Sequence, residues 1–212
     1  MFEELKTKLV ETAREAEKRG LCQNKSGNFS CRDKESGLIL VTPTGAGRDN
    51  LLSDDIVVID EQGKIVEAKT NLKPTSEYML HLAAYETRPE MMAVVHTHSR
   101  FAVSFAVIGK EIPAIVIEAA HLHLKRRYIP LAPFAQQGTA ALGDSVREPL
   151  TVADALLLER HGVLTVGNTM QDALLKAMYV EEIAEIYYRT LMLGDDPAPL
   201  SETDLCLRYP EK

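Results

Sequence analysis

Met91-Met92-Ala93-Val94-Val95-His96-Thr97-His98 is the stretch around which the rest of the chain can be ordered. Its five apolar residues read as a buried strand that ends in the histidine pair. Successive side chains on a strand point to opposite faces, so His96 and His98 face the same way. Two imidazoles on one face of a strand end are a common beginning of a metal site. Zinc favours nitrogen ligands of this kind, and a catalytic zinc usually has three protein ligands and an open position. An isolated His-x-His pair also arises without any metal, so the neighbouring segments have to decide.

Just upstream, Pro74-Thr75-Ser76 opens a helix through a hydroxyl N-cap, with Met79, Leu82 and Ala83 on one face. Just downstream, residues 99–108 read as helix. Towards the N-terminus, Phe2, Leu5, Leu9, Ala13 and Ala16 recur at helical spacing, so residues 2–19 form an amphipathic helix stopped by Gly20. Leu38-Ile39-Leu40-Val41 and Ile56-Val57-Val58-Ile59 are short β-prone runs, and Asp60 to Lys64 turns the second into Ile65-Val66-Glu67, a hairpin. Towards the C-terminus, Ile115-Val116-Ile117 is strand-like and residues 138–147 are helical. Ala155 to Leu158 and Gly162 to Val166 are strands. The longest helix spans 169–193, with Thr169 and Asp172 spaced as a capping box. The segment from about 194 is an extended arm or partner contact. No repeat or linker divides residues 1–212, so the pattern gives one α/β domain with a mixed or mainly antiparallel sheet.

A chain of 212 residues is long enough for a sizeable core, and its net charge of −7 argues against a nucleic-acid backbone as partner. Cys22, Cys31 and Cys206 form no regular spacing and read as free thiols of a reducing compartment. The acidic start lacks the layout of a secretory signal, and no apolar run approaches the roughly 18 residues that span a bilayer. A cytoplasmic protein with no membrane partner is expected.

Four further histidines compete for a role. His121-Leu122-His123 repeats the pair, but Lys125-Arg126-Arg127 follows and would disfavour a dication, so a basic patch or subunit contact is the reading there. His81 lies four residues after Glu77, where the two could pair or address one site, and reads as part of a polar helix face. His161 stands between an apolar strand and Gly162, a residue that allows close backbone approach.

Taken in order, Ser26-Gly27-Asn28, Thr42-Pro43-Thr44-Gly45, Pro74-Thr75-Ser76-Glu77, Val95-His96-Thr97-His98 and Arg160-His161-Gly162 resemble the class II aldolase family typified by L-fuculose-1-phosphate aldolase. The resemblance runs from Leu21 to the long C-terminal helix. It implies a three-layer α/β/α sandwich with a mixed, mainly antiparallel central sheet, assembled as a homotetramer with active sites at subunit interfaces. It implies one Zn2+ per subunit held by Glu77, His96, His98 and His161, with Glu77 as the catalytic acid/base. It assigns the phosphate of a small phosphorylated sugar to Gly27, Asn28, Thr44, Gly45, Thr75 and Ser76. Glycines let backbone N–H groups approach phosphate oxygens, and a helix opening favours anions; no GxxxxGK[ST] loop is present. The implied reaction is retro-aldol cleavage of a ketose 1-phosphate, L-fuculose 1-phosphate giving dihydroxyacetone phosphate and L-lactaldehyde. Sister readings on the same scaffold are a ribulose-5-phosphate 4-epimerase, a methylthioribulose-1-phosphate dehydratase, or an adducin-head-like scaffold without catalysis. The family's proton-donating tyrosine has no counterpart after Ile112-Pro113-Ala114-Ile115, which leaves Tyr128 and Tyr209 as candidates.

Overall fold

The apolar runs lack alternation because their strands are covered on both faces. A computed structural model describes residues 2–205. In chain order the strands are β1 (Asn28–Arg32), β2 (Ile39–Val41), β3 (Val57–Ile59), β4 (Ile65–Glu67), β5 (Ala93–Thr97), β6 (Ile112–Pro113), β7 (Tyr128–Ile129), β8 (Leu131–Ala132), β9 (Ala155–Leu158) and β10 (Gly162–Gly167). Eight of them form one sheet in the order β4-β3-β2-β1-β5-β10-β9-β8, while β6 and β7 pair separately. Among the described residues, β8 with β9 is the one parallel pair. The helices are α1 (Glu3–Lys18), α2 (Tyr78–Thr87), α3 (Arg100–Val107), α4 (Ala140–Ser145), α5 (Arg147–Leu150) and α6 (Met170–Met192).

Alternate strand residues face opposite sides of the sheet, where they feed three apolar clusters. Ile39, Val57, Val94, Leu156 and Leu164 pack on one face against α2, α4 and α5, through Leu80, Ala84, Leu142, Val146 and Leu150. On the other face, Phe29, Leu40, Val58 and Val95 meet α1 and α6, and Leu157 and Val163 meet α3 and α6. The result is a three-layer α/β/α sandwich with a mixed, mainly antiparallel sheet. No helix among the described residues is long and apolar enough to cross a membrane.

Local departures from the sequence expectations have physical causes. Residues 115–117 do not form a strand. After β6 the chain enters a 3-10 turn, Ile117–Leu122, that buries Ala119, Ala120 and Leu122, so packing of small residues overrides β-branched propensity. Helix α2 begins at Tyr78, two residues later than its hydroxyls suggest, which leaves Glu77 at the N-cap position. Thr75 Oγ1 accepts the Glu77 N–H instead. Thr169 caps α6 by accepting the Asp172 N–H, but the Asp172 carboxylate answers the Asn168 N–H and so the capping box is displaced by one residue. The C-terminal arm lies on its own chain: the Leu200 N–H donates to Ala114 O at 2.8 Å, and Leu205 reaches the core beneath α6. Tyr209 and Cys206 lie outside the described residues.

Candidate metal centre

β5 supplies two imidazoles from one face at the end of the sheet's most central strand, and the neighbouring hairpin supplies the third. β9 and β10 are joined by Glu159, Arg160 and His161, with Leu158 paired to Gly162 and Arg160 left-handed at φ 56°. This three-residue turn sets His161 beside the β5 terminus, because Val163 pairs with Thr97. The ring centroids of His96, His98 and His161 lie 4.8–5.1 Å apart, and one nitrogen from each falls within 4.8 Å of the others.

Glu77 arrives from the start of α2 to close the group. Its Oε1 stands 3.2 Å from His161 Nε2 and its Oε2 stands 3.4 Å from His96 Nε2. His98 Nε2 and His96 Nε2 are 3.1 Å apart. Zinc bonds of about 2.0–2.1 Å at tetrahedral angles place ligand atoms about 3.3 Å from each other. These three separations bracket that value, in a cluster whose ligand nitrogens lie within 4.8 Å of one another.

The chemistry of the donor atoms fits a cation as well. His96 Nδ1 is 2.9 Å from Val163 O, and a carbonyl only accepts, so Nδ1 carries the proton and Nε2 presents its lone pair to the cluster. The 3.1 Å contact with His98 would suit a shared proton or a shared ion. His161 decides between them. Both of its ring nitrogens and Glu77 Oε1 are buried without a hydrogen-bond partner, and native buried polar atoms are rarely left so. Burial, and then the two neighbouring imidazoles, pushes His96 well below its ordinary value. Burial followed by His161 and Arg48 pushes His98 down to about 4. Both rings are thus neutral, the form that binds metal.

Two glycines make this crowding possible. A Cβ on Gly162 would stand 2.4 Å from Thr97 O and 2.8 Å from His96 Cε1. Gly27 is left-handed at φ +75°, and a Cβ there would meet His96 O at 2.6 Å. Gly162→Ala must therefore push both the strand and a ligand ring. A stability loss of about 1–3 kcal/mol is expected, with at least tenfold weaker zinc binding, as for disturbed metal surroundings. Chelator-competition titration beside thermal unfolding checks both, and native zinc affinity in the variant would show that the rings do not need this space.

The sequence profile described as "Class II Aldolase and Adducin N-terminal domain" matches residues 7–188. The chain belongs to the class II aldolase family. An L-fuculose phosphate aldolase of Escherichia coli (strain K12) is 35% identical over 205 residues, covering 96% of this chain and 91% of that one. A 5-methylthioribulose-1-phosphate/5-deoxyribulose-1-phosphate aldolase of Escherichia coli O45:K1 (strain S88 / ExPEC) is 34% identical, covering 96% and 92%. Among solved structures, an L-fuculose 1-phosphate aldolase superposes with a TM-score of 0.89 at 27% identity, covering 95% of this chain and 92% of that one.

Class II aldolases are metal-dependent enzymes, and the histidine cluster could hold such a metal. The second His-x-His pair of this aldolase takes no part in it. His121 stacks on Tyr179 with ring centroids 5.1 Å apart, and His123 Nδ1 binds Asp154 at 2.6 Å. The cations that follow are engaged within the chain: Lys125 with Thr151 O, Arg126 with Glu148, Arg127 with Leu200 O. Tyr128 lies in β7, opposite Pro113 in the separate small sheet.

The loops expected to hold phosphate meet at the start of β1. Beyond the Ser30–Val41 pair, the Thr42 N–H donates to Phe29 O and Thr42 Oγ1 accepts the Phe29 N–H, which brings the Thr42–Gly45 segment to the start of β1. Pro43 bridges Pro74, and the Thr44 and Thr75 N–H groups donate to Lys73 O and Thr42 O. Thr44, Gly45 and Ser76 are exposed, whereas Asn28 and Thr75 are buried.

His81 departs from the sequence reading most. It is fully buried rather than part of a polar face. Its Nε2 lies 2.6 Å from Asn28 Oδ1, and Asn28 Nδ2 donates to Glu77 Oε2 at 2.7 Å. Burial pushes His81 from 6.5 down to about 3. Between these values the unfolded chain binds a proton that the folded chain refuses. Stability from this source is complete above about pH 6.5 and falls as the pH drops towards 3, by up to about 1.4 kcal/mol per pH unit. Urea midpoints of metal-free protein across that window should fall less steeply with acid in His81→Gln than in the parent. Equal slopes would show that His81 accepts a proton in place.

Proposed function

We propose that the chain catalyses zinc-dependent retro-aldol cleavage of a ketose 1-phosphate. The leading substrate is L-fuculose 1-phosphate, giving dihydroxyacetone phosphate and L-lactaldehyde. The observation that carries this reading is the convergence of three imidazoles, one nitrogen of each within 4.8 Å of the others, beside a carboxylate oxygen that has no hydrogen-bond partner. Cleaving a carbon–carbon bond next to a carbonyl leaves negative charge on the released three-carbon unit. A divalent cation held by His96, His98, His161 and Glu77 supplies electrophilic stabilisation of that charge.

The chain's own groups do the rest. Glu77 Oε1 faces the cluster with no hydrogen-bond partner, so it is the atom able to hold and return a proton beside the reacting carbon. Its other oxygen is held by Asn28, which keeps the carboxylate aimed. The Gly27–Asn28, Thr44–Gly45 and Thr75–Ser76 segments form the phosphate cradle. The exposed hydroxyls of Thr44 and Ser76 point to direct contact there. Because the Asn28 amide is spent on Glu77 and His81, its part in the cradle falls to its backbone.

The likeness at 34% identity to an enzyme named for 5-methylthioribulose 1-phosphate and 5-deoxyribulose 1-phosphate supports a second reading. The bond cleaved and the phosphate handle stay the same, and the aldehyde differs. The segment that would meet the aldehyde, after Ile115, holds no phenol up to Tyr128. Incubating the zinc-loaded protein with each of the three ketose 1-phosphates, and measuring dihydroxyacetone phosphate with a coupled reductase, separates these readings. A pentulose phosphate inverted at C4 without dihydroxyacetone phosphate would replace cleavage by epimerisation.

A homotetramer in the cytoplasm completes the proposal. Val107 and Ile108 at the end of α3 and Met192 and Leu193 at the end of α6 are more than half exposed. These helices adjoin through Phe101 and Tyr188, which supports self-association there. Cys22 and Cys31 are unpaired thiols, in keeping with a reducing compartment.

A further inference from the structure

Glu77, His81 and Tyr85 follow one another at intervals of four along one side of α2, and Asn28 and Ser30 are two apart on one face of β1. Four helical residues rise about 6.0 Å and two strand residues about 6.4–6.8 Å. The two series therefore run nearly in step, and each strand side chain fits between two helix side chains. Asn28 lies between Glu77 and His81, at 2.7 and 2.6 Å. Ser30 Oγ lies between His81 Nδ1 and Tyr85 Oη, at 2.7 and 2.9 Å. All five side chains are buried.

The chemistry of the groups fixes the direction of every bond. A carboxylate only accepts, so Asn28 must turn its amide N–H to Glu77 and its carbonyl to His81. His81 Nε2 then carries the ring proton, and Nδ1 is bare. The Ser30 hydroxyl donates to Nδ1, and its oxygen receives the Tyr85 hydroxyl. Polarity runs one way, from Tyr85 to the carboxylate, and chains of this kind strengthen each member.

We infer that Tyr85, Ser30, His81 and Asn28 form a one-way hydrogen-bond chain that fixes the rotamer of Glu77, with His81 as its central positioning residue. The inference rests on the reading of Glu77 and the three histidines as the metal centre. It assigns a role to three side chains, Ser30, His81 and Tyr85, that reach neither metal nor sugar. Held by Oε2, the carboxylate presents Oε1 to the cluster. Without the chain, Asn28 loses its orientation and Glu77 can rotate away.

The test uses the full-length protein and four variants. Zinc affinity is read by chelator competition, with no sugar present, and kcat and KM are read for whichever ketose 1-phosphate the parent cleaves. His81→Leu should weaken zinc binding or lower kcat about 10–100-fold, the usual range for the supports of a metal ligand, while KM stays within about threefold. His81→Gln should restore most of the loss, because its amide N–H stands about where Nε2–H does. Ser30→Ala and Tyr85→Phe should give smaller losses, in the order of their distance from Glu77. Folded His81→Leu with zinc affinity and kcat within twofold of the parent would overturn the inference. If that variant does not fold, Ser30→Ala decides by the same criterion. Should the parent cleave none of the three sugars while His81→Leu still loosens zinc, the substrate reading falls and the positioning chain stands.

Discussion

Glu77→Gln should lower turnover about 10²–10⁴-fold, the range that a positioned acid/base contributes, while the protein stays folded and binds zinc. Gln has the shape of Glu, and its carbonyl can still accept the Asn28 N–H that now reaches Oε2 at 2.7 Å. The other terminus becomes an amide, which neither takes nor returns a proton near neutral pH. Three imidazoles remain to hold the ion, so zinc stoichiometry should stay near one per chain. KM should change less than kcat, because the lost interaction belongs to the transition state. Steady-state rates and metal analysis on one preparation check this. Turnover near the parent's would remove Glu77 from the chemistry, and loss of zinc together with turnover would make it a ligand alone.

The largest stability effect is expected away from the site, at Asp154. Its side chain is almost fully buried and takes Arg88 on one oxygen, at 2.8 Å, and Lys176 and His123 on the other, at 2.9 and 2.6 Å. Burial alone would raise this carboxyl, but Lys176, His123 and Arg88 outweigh it and hold it below the ordinary range. Lys176 is itself buried, with Asp172 and Val166 O as further partners. Asp154→Ala leaves an ammonium in the core that has lost its best-buried counter-charge. Breaking such a pair from one side costs about 3–5 kcal/mol, and at this chain length each kcal/mol lowers Tm by about 2–4 °C. Asp154 precedes β9 and His161 follows it, so the change falls at the sheet end remote from the histidine cluster. Folded protein should therefore bind zinc as the parent does. A cost below about 1 kcal/mol in urea unfolding would mean that water and Asp172 satisfy Lys176 on their own.

The sequence carried the parts of this fold whose cause is local. The shared face of His96 and His98 follows from strand alternation, and α1, α3 and α6 follow from apolar spacing with Gly20 and Thr169 as boundaries. What was not legible depends on how elements lie against each other. Glu77, His81 and Tyr85 are visibly four apart, and Asn28 and Ser30 visibly two apart. Their interleaving exists only because α2 crosses the sheet along β1. Without that placement a histidine on a helix reads as solvent-facing. The same limit applies to Lys6, fully buried against Glu67, and to Lys176, since lysine is rarely buried without a partner that only the tertiary fold reveals. At residues 115–117 the β-branched trio signalled a strand, yet the two alanines that follow are what the core below α6 admits.

The third imidazole rides on the turn into a strand that is already laddered to the strand carrying the first two. Their meeting point is thus set by main-chain pairing, with His96 braced by Val163 O. An ion entering such a place has no chain to gather and no loop to close, so the entropy of ordering ligands is not charged to its affinity, unlike small domains that fold around their metal. Dialysis against a chelator, followed by cobalt or manganese, should exchange the occupant on native protein with no refolding step.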